Sequence, residues 1–377
     1  MKKIVIIGST GSIGENAFKV AQHLKNIKVV GLAAKQNYKR LAEQSTILRT
    51  PNIAIFDQSL KKNLAKVACK GTKIFSGSSG VSEMIKKSSP DLVVCASSGI
   101  AGFDAVLSAI DAGADIAIAN KEVIVLAGEI VTERAKRKNV RIIPVDSEHS
   151  AISQCLNGNE LSDVRRLILT ASGGPFRNMS PAKIAKATAK SALLHPTWRM
   201  GLKTTIDSAT LMNKALEIIE AHWLFGLHRS KIDVVIHPQS VIHSMVEFID
   251  GSILAQMSEP DMKLPIQYAI SYPLRMEGIL KPFDFAKFAK LSFEIPDRKK
   301  FPSLDFAYEA LKAGGTMPAV MNAANEVAVE KFLRGEINIP GIWKIIGNAM
   351  SRHKTVKKPN IAEILAADSE TRKSASS

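Results

Sequence analysis

From residue 3 to about 146, short unbroken apolar runs alternate with helix-length amphipathic stretches. The runs fall at 4–7, 29–33, 53–56, 92–96, 116–119 and 142–145. Continuous Val, Ile and Ala suit strands covered on both faces, and a spacing of roughly 20–30 residues leaves room for a crossover helix between parallel neighbours. The pattern predicts an α/β protein whose N-terminal part is a doubly wound parallel sheet, Rossmann-like in design.

Beyond 150 the pattern changes. Strands are expected at 167–171, 234–236, 241–249 and 253–257, the last two joined at Asp250-Gly251, a strong hairpin signal. With helices expected at 209–225 and from near Pro260, this stretch reads as a central α+β domain. Residues 281–302 mix Lys, Phe and Pro without periodicity and read as a linker. Helix-like stretches at 303–312, 319–334 and 342–353 predict a small C-terminal helical domain. Residues 369–377 hold too few apolar positions to pack and are expected to fray. The expected division is 1–146, 147–280, a linker 281–302, and 303–377.

Composition narrows the function classes. The net charge of +16 invites a nucleic-acid reading, but Lys and Arg are spread along the chain beside Asp and Glu, with no aromatic-interleaved basic stripe. The charge suits small anionic ligands instead. Cys69, Cys95 and Cys155 lack metal-ligand spacing, and their odd number argues against a disulfide framework, so a reducing cytoplasm is expected. The apolar run after Met1 is too short for a signal peptide, and no segment reaches the roughly 18 apolar residues of a membrane span.

The first strand runs into Gly8-Ser-Thr10-Gly11-Ser12-Ile13-Gly14, a GxxGxxG turn opening a helix. Such a turn offers backbone N–H groups and a helix dipole to a dinucleotide pyrophosphate; the alternative is a glycine turn that only lets strand and helix pack. The second strand ends Ala34-Lys35-Gln36, with a cation where an NAD enzyme carries an acid, so NADPH is favoured over NADH.

Carboxylates gather further along. Asp146 and Glu148 flank Ser147 after a β-branched run and, in an extended segment, point to one side. Oxygen-only ligands suit a hard divalent cation, Mg²⁺ or Mn²⁺, although an isolated pair of this kind is more often a solvated or capping pair. The stretch 207–217 adds context: Asp207 or Ser208 is a natural N-cap, and Asn213 and Glu217 share a helix face next to Lys214. Asn120, Lys121 and Glu122 follow a strand at the carboxyl edge of the sheet, where doubly wound folds bind ligands. Ser172-Gly-Gly suits a phosphate nest, and His195 to Gly201, with Trp198, reads as a lid loop.

Taken together, ASGGPF at 171–176, HPTWRMG at 195–201, DSATLMNKALE at 207–217, HPQSVIHSMV at 237–246 and EPDMKLPI at 259–266 resemble the 1-deoxy-D-xylulose 5-phosphate reductoisomerase family. The resemblance runs from Gly8 to the C-terminal helices. It implies an NADPH domain, a catalytic domain that also dimerises, a helical C-terminal domain, and a homodimer acting on a small phosphorylated sugar. It further implies Asp146, Glu148 and Glu217 as metal ligands, with Lys121 and Ser147 at the reacting oxygens. The substrate phosphate falls to Ser172, Ser208, Asn213 and Lys214, with His195 and Trp198 closing over the site. Cofactor contacts fall to Gly8, Thr10, Gly11, Ser12, Ile13, Gly14, Ala34, Lys35, Gln36, Asn120, Glu122 and Gly201.

Two positions depart from the family's usual pattern: Ala34-Lys35-Gln36 stands where Gly-Lys-Asn is common, and ASGGPF where GSGGPF is common. Neither removes a charge. The rival reading is a semialdehyde dehydrogenase, which needs a nucleophilic thiol, with Cys155 as its candidate.

Overall fold

The computed structural model describes residues 1–97, 99, 102–194, 198 and 200–376. The first half of the chain builds β1 (Lys2–Ile7), α1 (Ser12–His23), β2 (Ile27–Ala34), α2 (Tyr38–Leu48), β3 (Asn52–Ile55), α3 (Lys61–Val67) and β4 (Lys73–Ser76). It continues with α4 (Gly77–Ser88), β5 (Leu92–Cys95), α5 (Phe103–Asp111), β6 (Asp115–Ile118), α6 (Lys121–Arg137) and β7 (Ile142–Pro144). The second half contains α7 (Ser147–Leu156), β8 (Val164–Ala171), α8 (Pro181–Ala185), α9 (Ala189–Ala192), α10 (Leu202–Ala209), α11 (Met212–Phe225) and β9 (Ile232–Ile236). Then come β10 (Ile242–Phe248), β11 (Ile253–Met257), α12 (Lys263–Ser271), α13 (Ser303–Ala313), α14 (Met317–Leu333), α15 (Ile339–Arg352) and α16 (Ile361–Ser376).

Two compact units result. The first comprises Met1–Val123, Glu129–Ser150 and Asp261–Pro282. Its strands form one seven-stranded sheet in the order β4-β3-β2-β1-β5-β6-β7, each neighbouring pair parallel. Strand order reverses beside β1, so the ligand crevice of such a sheet lies at the carboxyl ends of β1 and β5. Ile4 to Ile7 are fully buried, as the apolar run requires of a central strand. The edge strand β4 has no counterpart among the expected runs, because Lys73-Ile-Phe-Ser76 is short and only Phe75 is buried.

Helix α12 corrects an expectation. It belongs to this first unit, not to the domain expected at 147–280, because Ile266, Ala269 and Ile270 at helical spacing bury in the same core as Ile4, Ala17 and Val145.

The second unit comprises Ile124–Gly128, Ala151–Pro260 and Phe283–Ser377. Its sheet runs β11-β10-β8-β9; β10 is antiparallel to both β11 and β8, whereas β8 and β9 are parallel. The hairpin falls at Asp250-Gly251 as expected: Gly251 takes a φ of +89° and the Asp250 carboxylate accepts the Ser252 N–H at 2.9 Å. Leu167, Leu169 and Val246 of this sheet share one core with Leu216 of α11, Leu304 of α13, and Met321 and Ala324 of α14. The C-terminal region is helical as expected, but it packs on the core of the second sheet and does not form one of its own. Nor does the tail fray, for 361–376 is helical and buries Ile364, Ala367, Asp368 and Thr371.

Candidate active site

The glycine turn follows β1 at the point where strand order reverses. Gly8 has a φ of +79°, and a Cβ there would lie 2.7 Å from the Ala96 carbonyl carbon and the Ser97 nitrogen just beyond β5. A Cβ on Gly14 would meet the Gly8 oxygen at 2.1 Å. These two glycines therefore serve close backbone packing. Gly11 is different: its nearest neighbour would be at 3.4 Å, and as N-cap of α1 it leaves the helix start without a side-chain cap. A turn that keeps its helix N-terminus clear of side chains fits a dinucleotide pyrophosphate. At the end of β2, Ala34 is buried while Lys35 and Gln36 are exposed and no acid intervenes, which fits a 2′-phosphate.

Asn120 is almost fully buried as the N-cap of α6. Its Oδ1 accepts the Val123 N–H at 3.3 Å and its Nδ2 donates to the Gly99 carbonyl at 2.8 Å, so its side chain positions backbone at this strand end. The next residue, Lys121, reaches Asp146 with Nζ 2.5 Å from Oδ2, both side chains mostly buried, and Glu122 stands beside it in the first turn. Parallel pairing of β6 with β7 is what brings the residues after these strands side by side.

The segment after β7 is not extended as expected. It turns into α7 at once, with the Asp146 carbonyl accepting the Ser150 N–H at 2.8 Å, so Asp146 precedes the helix and Glu148 sits in its first turn. Proximity of the two acids thus comes from a helix start and not from strand alternation. The Ser147 hydroxyl donates to Glu148 Oε2 at 2.5 Å. Carboxylate and hydroxyl oxygens make a hard donor set, which fits Mg²⁺ or Mn²⁺.

In the second unit the expected helix at 209–225 is α11, which starts at Met212, and a separate helix, α10, precedes it. Asp207 is no N-cap: it lies in the last turn of α10, buried, bonded by Lys203 Nζ at 2.9 Å and by Asn325 Nδ2 at 2.9 Å. Leu211, in the left-handed region with φ +59°, breaks the chain between α10 and α11. Asn213, Lys214 and Glu217 then share one face of α11, and both Asn213 Nδ2 and Lys214 Nζ donate to the buried Glu217 carboxylate. Ser208 belongs to α10, at the turn facing Gly174; a Cβ there would lie 2.7 Å from the Ser208 carbonyl oxygen. Gly173 and Gly174 both have positive φ, and the Gly174 N–H donates to Ser172 Oγ at 3.2 Å. The structure therefore brings the Ser172 turn against Ser208, as a phosphate site made from both requires.

Of the expected lid, His195 lies outside the described residues. Gly201 caps the start of α10, and the Trp198 ring lies 6.1 Å from that of His243. His243, not singled out in the sequence although it stands within the 237–246 block, is thereby placed next to Trp198. It is buried on β10, bonded through Nε2 to Ser258 Oγ at 2.9 Å, and burial pushes its pKa down to about 4. Burial also pushes the Cys95 thiol up to about 12 and the Cys155 thiol up to about 11. Neither is a ready nucleophile, which removes the basis of the semialdehyde dehydrogenase reading.

A doubly wound sheet with an open glycine turn at its switch point, followed by an acidic strand end, defines the class as an α/β dinucleotide-binding enzyme. Comparison with known proteins gives the family. Residues 4–128 match the 1-deoxy-D-xylulose 5-phosphate reductoisomerase profile, 142–225 its C-terminal domain profile, and 257–374 that described as DXP reductoisomerase C-terminal domain. A 1-deoxy-D-xylulose 5-phosphate reductoisomerase of Protochlamydia amoebophila is 50% identical over 380 residues, covering 100% of this chain and 98% of its own. The solved enzyme of that name from Zymomonas mobilis, in complex with NADPH, superposes with a TM-score of 0.94 at 40% identity, covering 100% and 98% of the two chains. A second solved reductoisomerase, in complex with NADPH, fosmidomycin and magnesium, gives a TM-score of 0.92 at 36% identity, covering 100% and 97%. The chain belongs to the 1-deoxy-D-xylulose 5-phosphate reductoisomerase family.

Proposed function

We propose that this chain converts 1-deoxy-D-xylulose 5-phosphate to 2-C-methyl-D-erythritol 4-phosphate, with NADPH and a divalent cation, Mg²⁺ or Mn²⁺, in non-mevalonate isoprenoid precursor synthesis. The observation that carries the reading is end-to-end similarity, in sequence and in fold, to solved reductoisomerases that hold these groups. A carbon–carbon bond beside the substrate ketone breaks and reforms to give a branched aldehyde phosphate, which is then reduced to the alcohol. When bound, NADPH supplies the hydride and the cation supplies Lewis-acid stabilisation of oxyanion charge.

The chain's own groups do the rest. Asp146, Glu148 and Glu217 hold the cation, and Ser147 keeps Glu148 oriented through its hydroxyl. Lys121, charged beside Asp146, supports negative charge on the reacting oxygens and is placed to handle a proton. Ser172, Ser208, Asn213 and Lys214 bind the substrate phosphate, a non-reacting handle whose binding energy can be spent on orienting the reacting carbons. Gly8 to Gly14, the 34–36 turn, Asn120, Glu122 and Gly201 receive the cofactor, while His195 and Trp198 close over the substrate and exclude water.

The protein works as a homodimer in the cytoplasm. Free cysteines support a reducing compartment, and no helix among the described residues is long and apolar enough to cross a membrane. The exposed apolar edge strand β11 supports the dimer.

Mixing the purified chain with 1-deoxy-D-xylulose 5-phosphate, NADPH and Mg²⁺ is expected to oxidise NADPH, and a chelator to stop it until cation is restored. Glu217→Gln is expected to lower turnover by at least roughly a hundredfold, more than outer-shell partners of a metal typically cost. No oxidation with any divalent cation would overturn the reading, and a fully active Glu217→Gln enzyme would overturn the ligand set.

A further inference from the structure

An acid stands in the first turn of α1, Glu15, where the helix N-terminus serves a dinucleotide phosphate. A carboxylate there suits the helix dipole but opposes a pyrophosphate drawn to the same N–H groups. Arg40, in the first turn of α2, answers it. Its guanidinium grips Glu15 in a two-point fork, Nε to Oε1 at 2.7 Å and Nη2 to Oε2 at 2.8 Å. Its Nη1 reaches Glu43 at 3.1 Å, and the Phe18 ring lies 5.2 Å below it. Such a fork fixes both side chains as a lysine could not.

Gln44, one turn further along α2 and fully buried, completes the arrangement. Its Nε2 donates to Glu15 Oε1 at 3.0 Å and to the Ser9 carbonyl, inside the glycine turn, at 2.9 Å. A trans peptide points its C=O and the following N–H in opposite directions. Holding the Ser9 oxygen toward α2 therefore aims the Thr10 N–H away from it.

We propose that Glu15, Arg40 and Gln44 form a clamp in which Arg40 is a positioning residue for NADPH. It cancels the Glu15 charge beside the pyrophosphate and shares the Glu15 carboxylate with Gln44, which ties the glycine turn to α2, the helix that follows the 34–36 turn. The inference rests on the NADPH reading above.

Fluorescence titration of the full-length protein with NADPH and with NADH tests it without turnover. Arg40→Ala uncovers Glu15 and is expected to weaken both dinucleotides by about tenfold, because both carry the pyrophosphate. Adding Glu15→Gln is expected to bring both affinities back to within about threefold of wild type, a rescue that a merely structural role would not give. Two results overturn the clamp: a double variant as weak as Arg40→Ala for NADPH with NADH unaffected, which makes Arg40 a direct 2′-phosphate contact, or wild-type affinity in Arg40→Ala. If Arg40→Ala does not fold, Arg40→Lys and Gln44→Leu are each expected to lose part of the affinity, and full affinity in both overturns it. Absence of saturable NADPH binding by the wild type instead overturns the cofactor reading itself.

Discussion

Burial decides the protonation of His243. Removed from water on β10, with the Ser258 hydroxyl at 2.9 Å, its ring moves from the ordinary 6.5 to about 4, with His237 and Lys214 adding smaller positive fields. A histidine with a depressed folded pKa binds fewer protons folded than unfolded between those values, so its contribution is full above about 6.5 and lost as pH falls toward 4. The unfolding transition of the second unit is therefore expected to move to lower temperature across that window, and less steeply in His243→Gln, which keeps a donor for Ser258 but cannot titrate; equal slopes would refute this. The acids of the site were more legible than their geometry. Asp-Ser-Glu at 146–148 announces a cation by its chemistry, yet Asp followed by Ser and Glu is equally a helix-start signal, and the structure keeps the two acids together by starting a helix there and not by extending the strand. Asp207 went the other way: it has the chemistry of an N-cap, but Leu211 with positive φ moves the helix boundary past it, and its charge goes to Lys203 and Asn325, the latter 118 positions away. No local pattern announces a partner at that separation.

At the scale of elements, legibility follows how completely a segment is buried by its own apolar residues. The runs at 4–7, 92–96 and 116–119 were readable because central strands of a parallel sheet must be apolar on both faces. Edge strand β4 and helix α16 were not, because polar residues carry part of their attachment. In α16, Ile364 and Ala367 bury normally, while the polar end is held by Arg372, which donates to Asp368 of its own helix at 2.7 Å and to Glu326 of α14 at 2.6 Å. A composition count over 369–377 sees only charged and small residues. Arg372→Ala would leave a nearly buried Asp368 without its partner and is expected to cost about 1–3 kcal/mol, between the values for exposed and buried pairs, since Arg372 itself is about a third exposed. Because the chain has two units, limited proteolysis of the C-terminal helix is the better readout than a single unfolding midpoint. Unchanged cleavage within 361–376 would show that the apolar contacts alone anchor the helix.

For the whole molecule, the net charge of +16 and the exposed apolar surface pull in opposite directions. Like charge keeps copies apart, yet β11 ends its sheet with Ile253 50%, Leu254 46% and Met257 37% exposed, and an apolar edge with open backbone groups invites pairing. A second copy would satisfy that edge in a closed way: two β11 strands running antiparallel about a two-fold axis would cover each other and leave no further edge of the same kind. The forces then have distinguishable salt dependence. Apolar and backbone contacts are insensitive to moderate salt, whereas repulsion between two chains of +16 each is screened by it. Sedimentation is expected to show a dimer that holds or tightens as salt rises, and Leu254→Lys, which puts a charge on the edge, is expected to shift it toward monomer. A dimer that dissociates with salt would place the interface on ion pairs elsewhere, and an unaffected Leu254→Lys dimer would rule out β11 as its seam.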